Sequence, residues 1–116
     1  MNMISLKAIA SALAGASILL LAAPGARAMD GDEIKALLKK NDCFKCHAID
    51  KTKKGPAYKK ISAKYKGKAD GEEKAIKNMT TSPKVKLEDG TEEEHKVIDT
   101  KDQKVLKEVA QWILSQ

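Results

Sequence analysis

Arginine is almost missing from this chain: Arg27 is the only one in 116 residues, against twenty-one lysines. Phosphate and base-edge recognition favour the planar, bidentate guanidinium, so a basic protein built on lysine is a poor reader of nucleic acid. Aromatic residues are scarce as well, with one Trp, one Phe and two Tyr. Packed helices alone would leave a thin core, so something else should fill the centre. There is no Gly-rich phosphate loop, no serine–histidine–acid arrangement to assemble from two histidines and no basic–aromatic interleaving, which leaves no catalytic constellation and no nucleic-acid surface. Internal repeats and low-complexity tracts are absent, and nothing reads as a strand.

A long hydrophobic run is also lacking. The apolar stretch from Ala8 to Ala23 falls short of the roughly 20 residues a bilayer span needs and is followed at once by Pro24. With Lys7 before it and Ala26-Arg27-Ala28 after it, residues 1–28 read as a cleaved signal peptide and residues 29–116 as one domain, exported to the periplasm with no membrane span after cleavage. The cut removes Lys7 and Arg27, leaving twenty lysines against sixteen carboxylates, a formal charge of +4. Lysine suits loose, long-range attraction to an acidic protein surface. A domain this short buries a modest core and leans on a disulfide, a metal or another internal support.

Four helical stretches follow. The first opens on Asp30 with Glu33 three residues on, carries Ile34, Leu37 and Leu38, and ends near Asn41. Pro56 is placed to open a second, with Tyr58, Ile61 and Tyr65 at i, i+3 and i+7, stopped by Gly67. A third runs from Asp70 to about Asn78. Thr80 to Asp99 reads as one long loop, a length that in a small domain points to a functional role. The last helix opens on Thr100, with Gln103 completing a capping box, and presents Val105, Leu106, Val109, Trp112 and Ile113 along one face.

Cysteine occurs only at Cys43 and Cys46, two residues apart, with His47 directly after. Cys-x-x-Cys-His is the attachment signature of a c-type haem: two thiols on one helical turn reach the two vinyl groups of one porphyrin, and the adjacent imidazole reaches the iron. On this reading Cys43 and Cys46 form thioethers, His47 is the proximal iron ligand, and one covalent haem c per chain supplies the missing core. A disulfide between the cysteines competes but lacks the strand–helix context of a redox motif. A zinc site of both cysteines with His47 and His95 has the ligand count, yet the neighbouring Cys46 and His47 cannot easily share one tetrahedral ion.

The stretch CFKCHAIDKTKKGPAYKKISAKYK at 43–66, with the terminal VLKEVAQWILSQ, resembles the small bacterial class I cytochromes c, periplasmic electron carriers. The resemblance implies an all-α fold of about four short helices wrapped around one haem, with the first and last helices crossing. It also implies that Pro56 offers its carbonyl to the second ring nitrogen of His47, fixing the tautomer. Members usually supply a distal methionine from the loop before the last helix. Here Met79 lies too early, at the end of the third helix, whereas His95 falls within about one residue of the family's position. His95 is therefore favoured as distal iron ligand, with Met79 as the alternative.

The function expected is a soluble, monomeric, monohaem carrier of single electrons between redox partners with acidic docking surfaces, and not an enzyme. A dedicated haem subunit of a larger oxidoreductase, or a ligand-binding haem protein with a labile distal residue, is the alternative. Lysines 39, 40, 45, 51, 53, 54, 59 and 60 crowd the haem motif, as a docking rim or simply as a solvated face.

Overall fold

The structure, a computed structural model, describes Gly15 and residues 27–116. The expected signal peptide thus lies, apart from Gly15, Arg27 and Ala28, outside the described residues. Four α-helices follow one another among these residues: α1 Gly31–Lys40, α2 Tyr58–Tyr65, α3 Gly71–Thr80 and α4 Gln103–Leu114. A single 3₁₀ turn, Cys43–Lys45, follows α1, and a small hairpin of β1 Lys84–Lys86 and β2 Glu92–Glu94 separates α3 from α4. No helix among the described residues is long and apolar enough to cross a membrane.

The first helix forms as its sequence dictates. The Asp30 side chain accepts from the Glu33 N–H at 2.8 Å, and the Glu33 carboxylate accepts from the Asp30 N–H at 3.0 Å, a reciprocal cap that satisfies two orphan donors. Ile34 and Leu38, one turn apart, bury against α4, whose seam of Leu106, Val109, Ala110 and Ile113 is the backbone of the core. Tyr58 from α2, Ala75 and Met79 from α3, and Ile98 complete that core.

The second helix starts later than expected, at Tyr58 rather than at Pro56. No side chain caps it. The Tyr58 and Lys59 N–H groups instead donate to the carbonyls of Ala48 and Ile49, at 2.9 and 3.0 Å, so the segment after the cysteines performs the capping. At the far end, the buried Ser62 hydroxyl donates to the Leu114 carbonyl at 2.6 Å, which satisfies an orphan acceptor of α4. Gly71 opens α3 against α2 so closely that a Cβ there would lie 2.5 Å from the Tyr65 carbonyl oxygen.

Two further expectations are corrected. The cap of α4 is Asp102, which accepts from the Lys104 N–H at 3.0 Å; Thr100 instead accepts from the Asp102 N–H at 3.2 Å, supporting the cap from outside. The segment from Thr80 to Asp99 is not all loop, because β1 and β2 pair antiparallel with Lys84 opposite Glu94, Val85 opposite Glu93 and Lys86 opposite Glu92. Opposite charges therefore face each other at both ends of the ladder, an arrangement that stabilises strands too short to show alternation. Asp89 and Gly90 make the turn, with Gly90 at φ 86° and the Asp89 carboxylate accepting from the Thr91 N–H and hydroxyl.

Candidate functional site

The 3₁₀ turn brings the three residues of the cysteine motif together. Cys46 N–H and His47 N–H both donate to the Cys43 carbonyl, at 3.3 and 3.0 Å, which winds Cys43, Cys46 and His47 onto one side of the chain. Both cysteines are free thiols, so the disulfide reading is not realised. Burial, the largest influence, raises the Cys43 thiol above its ordinary value.

The imidazole of His47 is fixed from three sides. Its Nδ1 lies 2.6 Å from the Pro56 carbonyl oxygen. A carbonyl can only accept, so Nδ1 carries the proton and Nε2 presents a bare lone pair. Tyr58, itself buried, stacks on the ring at 5.2 Å between centroids and 27° between planes. Gly55, buried beneath, leaves no room for more: a Cβ there would lie 3.1 Å from His47 Cε1 and 3.3 Å from Nδ1. Burial pushes the His47 imidazole below its ordinary pKa, against the Pro56 hydrogen bond, which favours the protonated ring. Burial also raises the Tyr58 phenol, which stays protonated.

His95 faces His47 across a cavity. It is the residue after β2, and the hairpin carries it to 6.0 Å from His47 between ring centroids, at 44° between planes. Its Nδ1 lies 2.8 Å from the Lys96 carbonyl oxygen, which can only accept, so Nδ1 donates there and Nε2 is the nitrogen left for another partner. His95 is thus half-buried at the cavity rather than a solvated residue of an acidic loop. Met79 lines the same cavity from α3 and is buried in the core.

The cavity measures about 670 Å³, within the roughly 300–1,000 Å³ typical of cofactor sites. Cys43, Cys46, His47, Pro56, Met79, Val85, Leu87 and His95 line it, with Tyr58 and Ile113. Two imidazoles 6.0 Å apart between centroids fit a single transition metal. An imidazole nitrogen binds such an ion at about 2.0–2.1 Å and sits about 1 Å from its own ring centre, which separates the two centroids by roughly 6 Å. The apolar walls and the two thiols beside one imidazole fit the rest of a porphyrin. Among the described residues no group of three or more His, Cys, Asp or Glu is arranged to hold an ion, so the zinc arrangement is not assembled.

Around the cavity the lysines sort into two groups. Lys60, Lys64, Lys86 and Lys96 line it. Of these only Lys60 was counted near the motif; Lys40, Lys45 and Lys53, which were, are engaged with Asp99, with Asp42 and with the Phe44 carbonyl, and Lys96 of the lining group pairs with Asp42 as well. Sequence reasoning missed Gly55, Ser82 and Asp42. The Gly55-Pro56 and Ser82-Pro83 dipeptides are turn signals that mark the first two; Asp42 carries no such signal.

A family model described as "Cytochrome c" matches residues 31–116. Cytochrome c-551 of Pseudomonas aeruginosa is 46% identical over 52 residues, 45% of this chain, and the matched stretch spans 47% of that relative's length. Among solved structures, the class 1 cytochrome MtoD of Sideroxydans lithotrophicus ES-1 is 50% identical with a TM-score of 0.70, over 76% of this chain and 97% of its own. Wild-type cytochrome c552 of Nitrosomonas europaea is 28% identical with a TM-score of 0.54, over 70% and 96%.

Proposed function

The chain belongs to the cytochrome c family, and from that premise we propose that it is an exported, periplasmic monohaem cytochrome carrying single electrons between redox partners, with an imidazole on each side of its iron. Haem c, covalently attached, is the family's cofactor. When bound, it supplies a one-electron iron couple, which a second imidazole lowers in potential relative to a thioether ligand.

The residues take distinct roles in this reading. Cys43 and Cys46 hold the porphyrin through thioethers. His47 is the proximal ligand, and the Pro56 carbonyl keeps its proton on Nδ1, which fixes the ring orientation and raises its basicity. Tyr58 and Gly55 restrict the same ring by stacking and by close approach. His95 is the distal ligand. With His47 and His95 both engaged, a bound haem would offer no open site for a substrate, which suits carriage of single electrons rather than catalysis.

One observation supports His95 most directly: its ring and that of His47 face each other at 6.0 Å, each with Nδ1 bound to a carbonyl. Met79 is the competing donor, because it lines the same cavity. The oxidised holoprotein decides between them. A low-spin spectrum without the weak far-red thioether-to-iron charge-transfer band supports His95, and the presence of that band selects Met79. Failure of carbon monoxide to alter the spectrum of the reduced protein counts further against an open or labile site.

Lys60, Lys64, Lys86 and Lys96 line the cavity together with Asp42, Glu93 and Glu94, and Asp42 pairs with Lys96; the small excess of lysine there suits brief docking of acidic partners. Electron transfer to such a partner should slow as ionic strength rises from about 0.01 to 0.15 M, where the Debye length shrinks from about 30 to 8 Å. Stopped-flow rates indifferent to salt would remove the docking role.

A further inference from the structure

Only two non-glycine residues among those described adopt positive φ, Asp42 at 61° and Ser82 at 54°. Such conformations cost free energy in L-residues and persist where the surroundings over-determine them, commonly at functional sites. Both converge on one short segment, His95-Lys96. The Ser82 hydroxyl donates to the His95 carbonyl at 2.6 Å. The His95 N–H in turn donates to the Pro83 carbonyl at 2.8 Å. From the opposite side, the Asp42 carboxylate accepts from Lys96 Nζ at 3.4 Å and also pairs with Lys45.

Each polar group of His95 except Nε2 thus has a fixed partner: the amide on Pro83, the carbonyl on Ser82 and Nδ1 on Lys96. The left-handed turn at Ser82 is what makes this possible. It reverses the chain between α3 and β1, so that a side-chain hydroxyl and the next residue's carbonyl meet the same backbone unit. Further along, the Ile98 N–H donates to the Met79 carbonyl at 2.9 Å and the Asp99 N–H to the Asn41 side chain at 2.9 Å. Residues 95–99 are therefore fastened to the end of α3 on one side and, on the other, to the turn that precedes Cys43.

We propose that Ser82, assisted by Asp42, is a positioning residue that sets how readily His95 leaves the iron. This rests on the reading of His95 as distal ligand, and deepens it. The clamp holds the histidine backbone rather than its ring. Release of the clamp would therefore change the lifetime of the bond to iron more than its identity.

The test is replacement of the distal ligand by cyanide in the ferric holoprotein, read by stopped flow, with the low-spin electron paramagnetic resonance signature read at rest. Ser82→Gly removes the hydroxyl while relieving the backbone, so a purely structural role predicts equal or greater thermal stability and an unchanged replacement rate. The clamp predicts replacement faster by roughly three- to tenfold, the effect of one net hydrogen bond, with the resting signature kept. Ser82→Asn, which tolerates positive φ and restores a side-chain donor, should recover most of the wild-type rate. Asp42→Asn should accelerate replacement by about twofold, as expected of an exposed ion pair, and it keeps the question open to test if Ser82→Gly loads haem poorly. Wild-type rates in Ser82→Gly and Asp42→Asn would overturn the proposal. His95→Ala separates the two levels: a native signature in that variant sinks the ligand assignment, whereas a changed one with an unaltered Ser82→Gly rate sinks the clamp alone.

Discussion

A methyl group at position 55 would press directly on the proximal histidine. Built there, it stands 3.1 Å from His47 Cε1 and 3.3 Å from both Nδ1 and the Cys46 carbonyl oxygen. Tyr58 stacks on the ring and the Pro56 carbonyl holds Nδ1, so the ring can shift only by giving up those contacts. Gly55→Ala should therefore destabilise the holoprotein by about 1–3 kcal/mol, as overpacking does, and broaden the low-spin signature. Urea denaturation followed in the haem absorbance checks this; wild-type stability would mean that the ring yields freely. Residues of this kind separate what the sequence discloses from what it hides. Cys43, Cys46 and His47 were legible because attachment of one porphyrin would dictate their spacing; Pro56 was legible only through the resemblance, which implies its carbonyl contact. Gly55 was not, because what matters there is the absence of a side chain beneath a ring that only the fold brings above it.

At the scale of elements, the hairpin before α4 sets opposite charges across its ladder. Lys84 faces Glu94 and Lys86 faces Glu92, with Val85 between them lining the cavity. Reversal of both lysines, Lys84→Glu with Lys86→Glu, sets like charges opposite each other. With cross-strand pairs contributing roughly 0.2–1 kcal/mol each, the hairpin should loosen by about 1–2 kcal/mol. Amide exchange at Leu87, whose N–H donates to the Thr91 carbonyl at 2.8 Å, reports the change. Adding Glu92→Lys and Glu94→Lys should restore protection, and high salt should shrink the difference; a loss that survives the second pair of changes would assign the effect to something other than charge. The helices were readable because Ile34 and Leu38, or Leu106, Val109 and Ile113, repeat at the helical period. Lys-Val-Lys alternates over too few residues to register as a strand, and Glu-Glu-Glu does not alternate at all. The legible signal lay in the Asp89-Gly90 turn between runs of opposite sign. The helix starts were blurred for a related reason: α2 is capped by carbonyls of Ala48 and Ile49, distant in neither sequence nor space but invisible to a search for capping side chains.

Over the whole molecule, the scarcity of aromatic side chains foretold a missing centre, and the cavity between α2, α3, α4 and the hairpin is where it lies. The first and last helices close the other side, and one contact there would tie signal cleavage to stability. The Met29 N–H donates to the Glu108 carboxylate on α4 at 3.1 Å, in a half-buried setting. Cleavage after Ala28 would turn that amide into an ammonium at the same place, and hydrogen bonds between charged groups are roughly twice as strong as neutral ones. It would also remove Arg27, which pairs with Glu33, but Glu33 retains its place in the α1 cap. Trimming would thus exchange an exposed surface ion pair for a partly buried one between Met29, just before α1, and α4. A holoprotein beginning at Met29 should lose about 1–2 kcal/mol on Glu108→Gln, whereas one bearing two extra alanines before Met29 should lose less than half as much. Denaturation of the four proteins forms a closed cycle, in which the difference isolates the ammonium from any packing role of Glu108. Equal losses in the two backgrounds would show that the new terminus does not dock on α4, and that the last helix is held by its apolar seam alone.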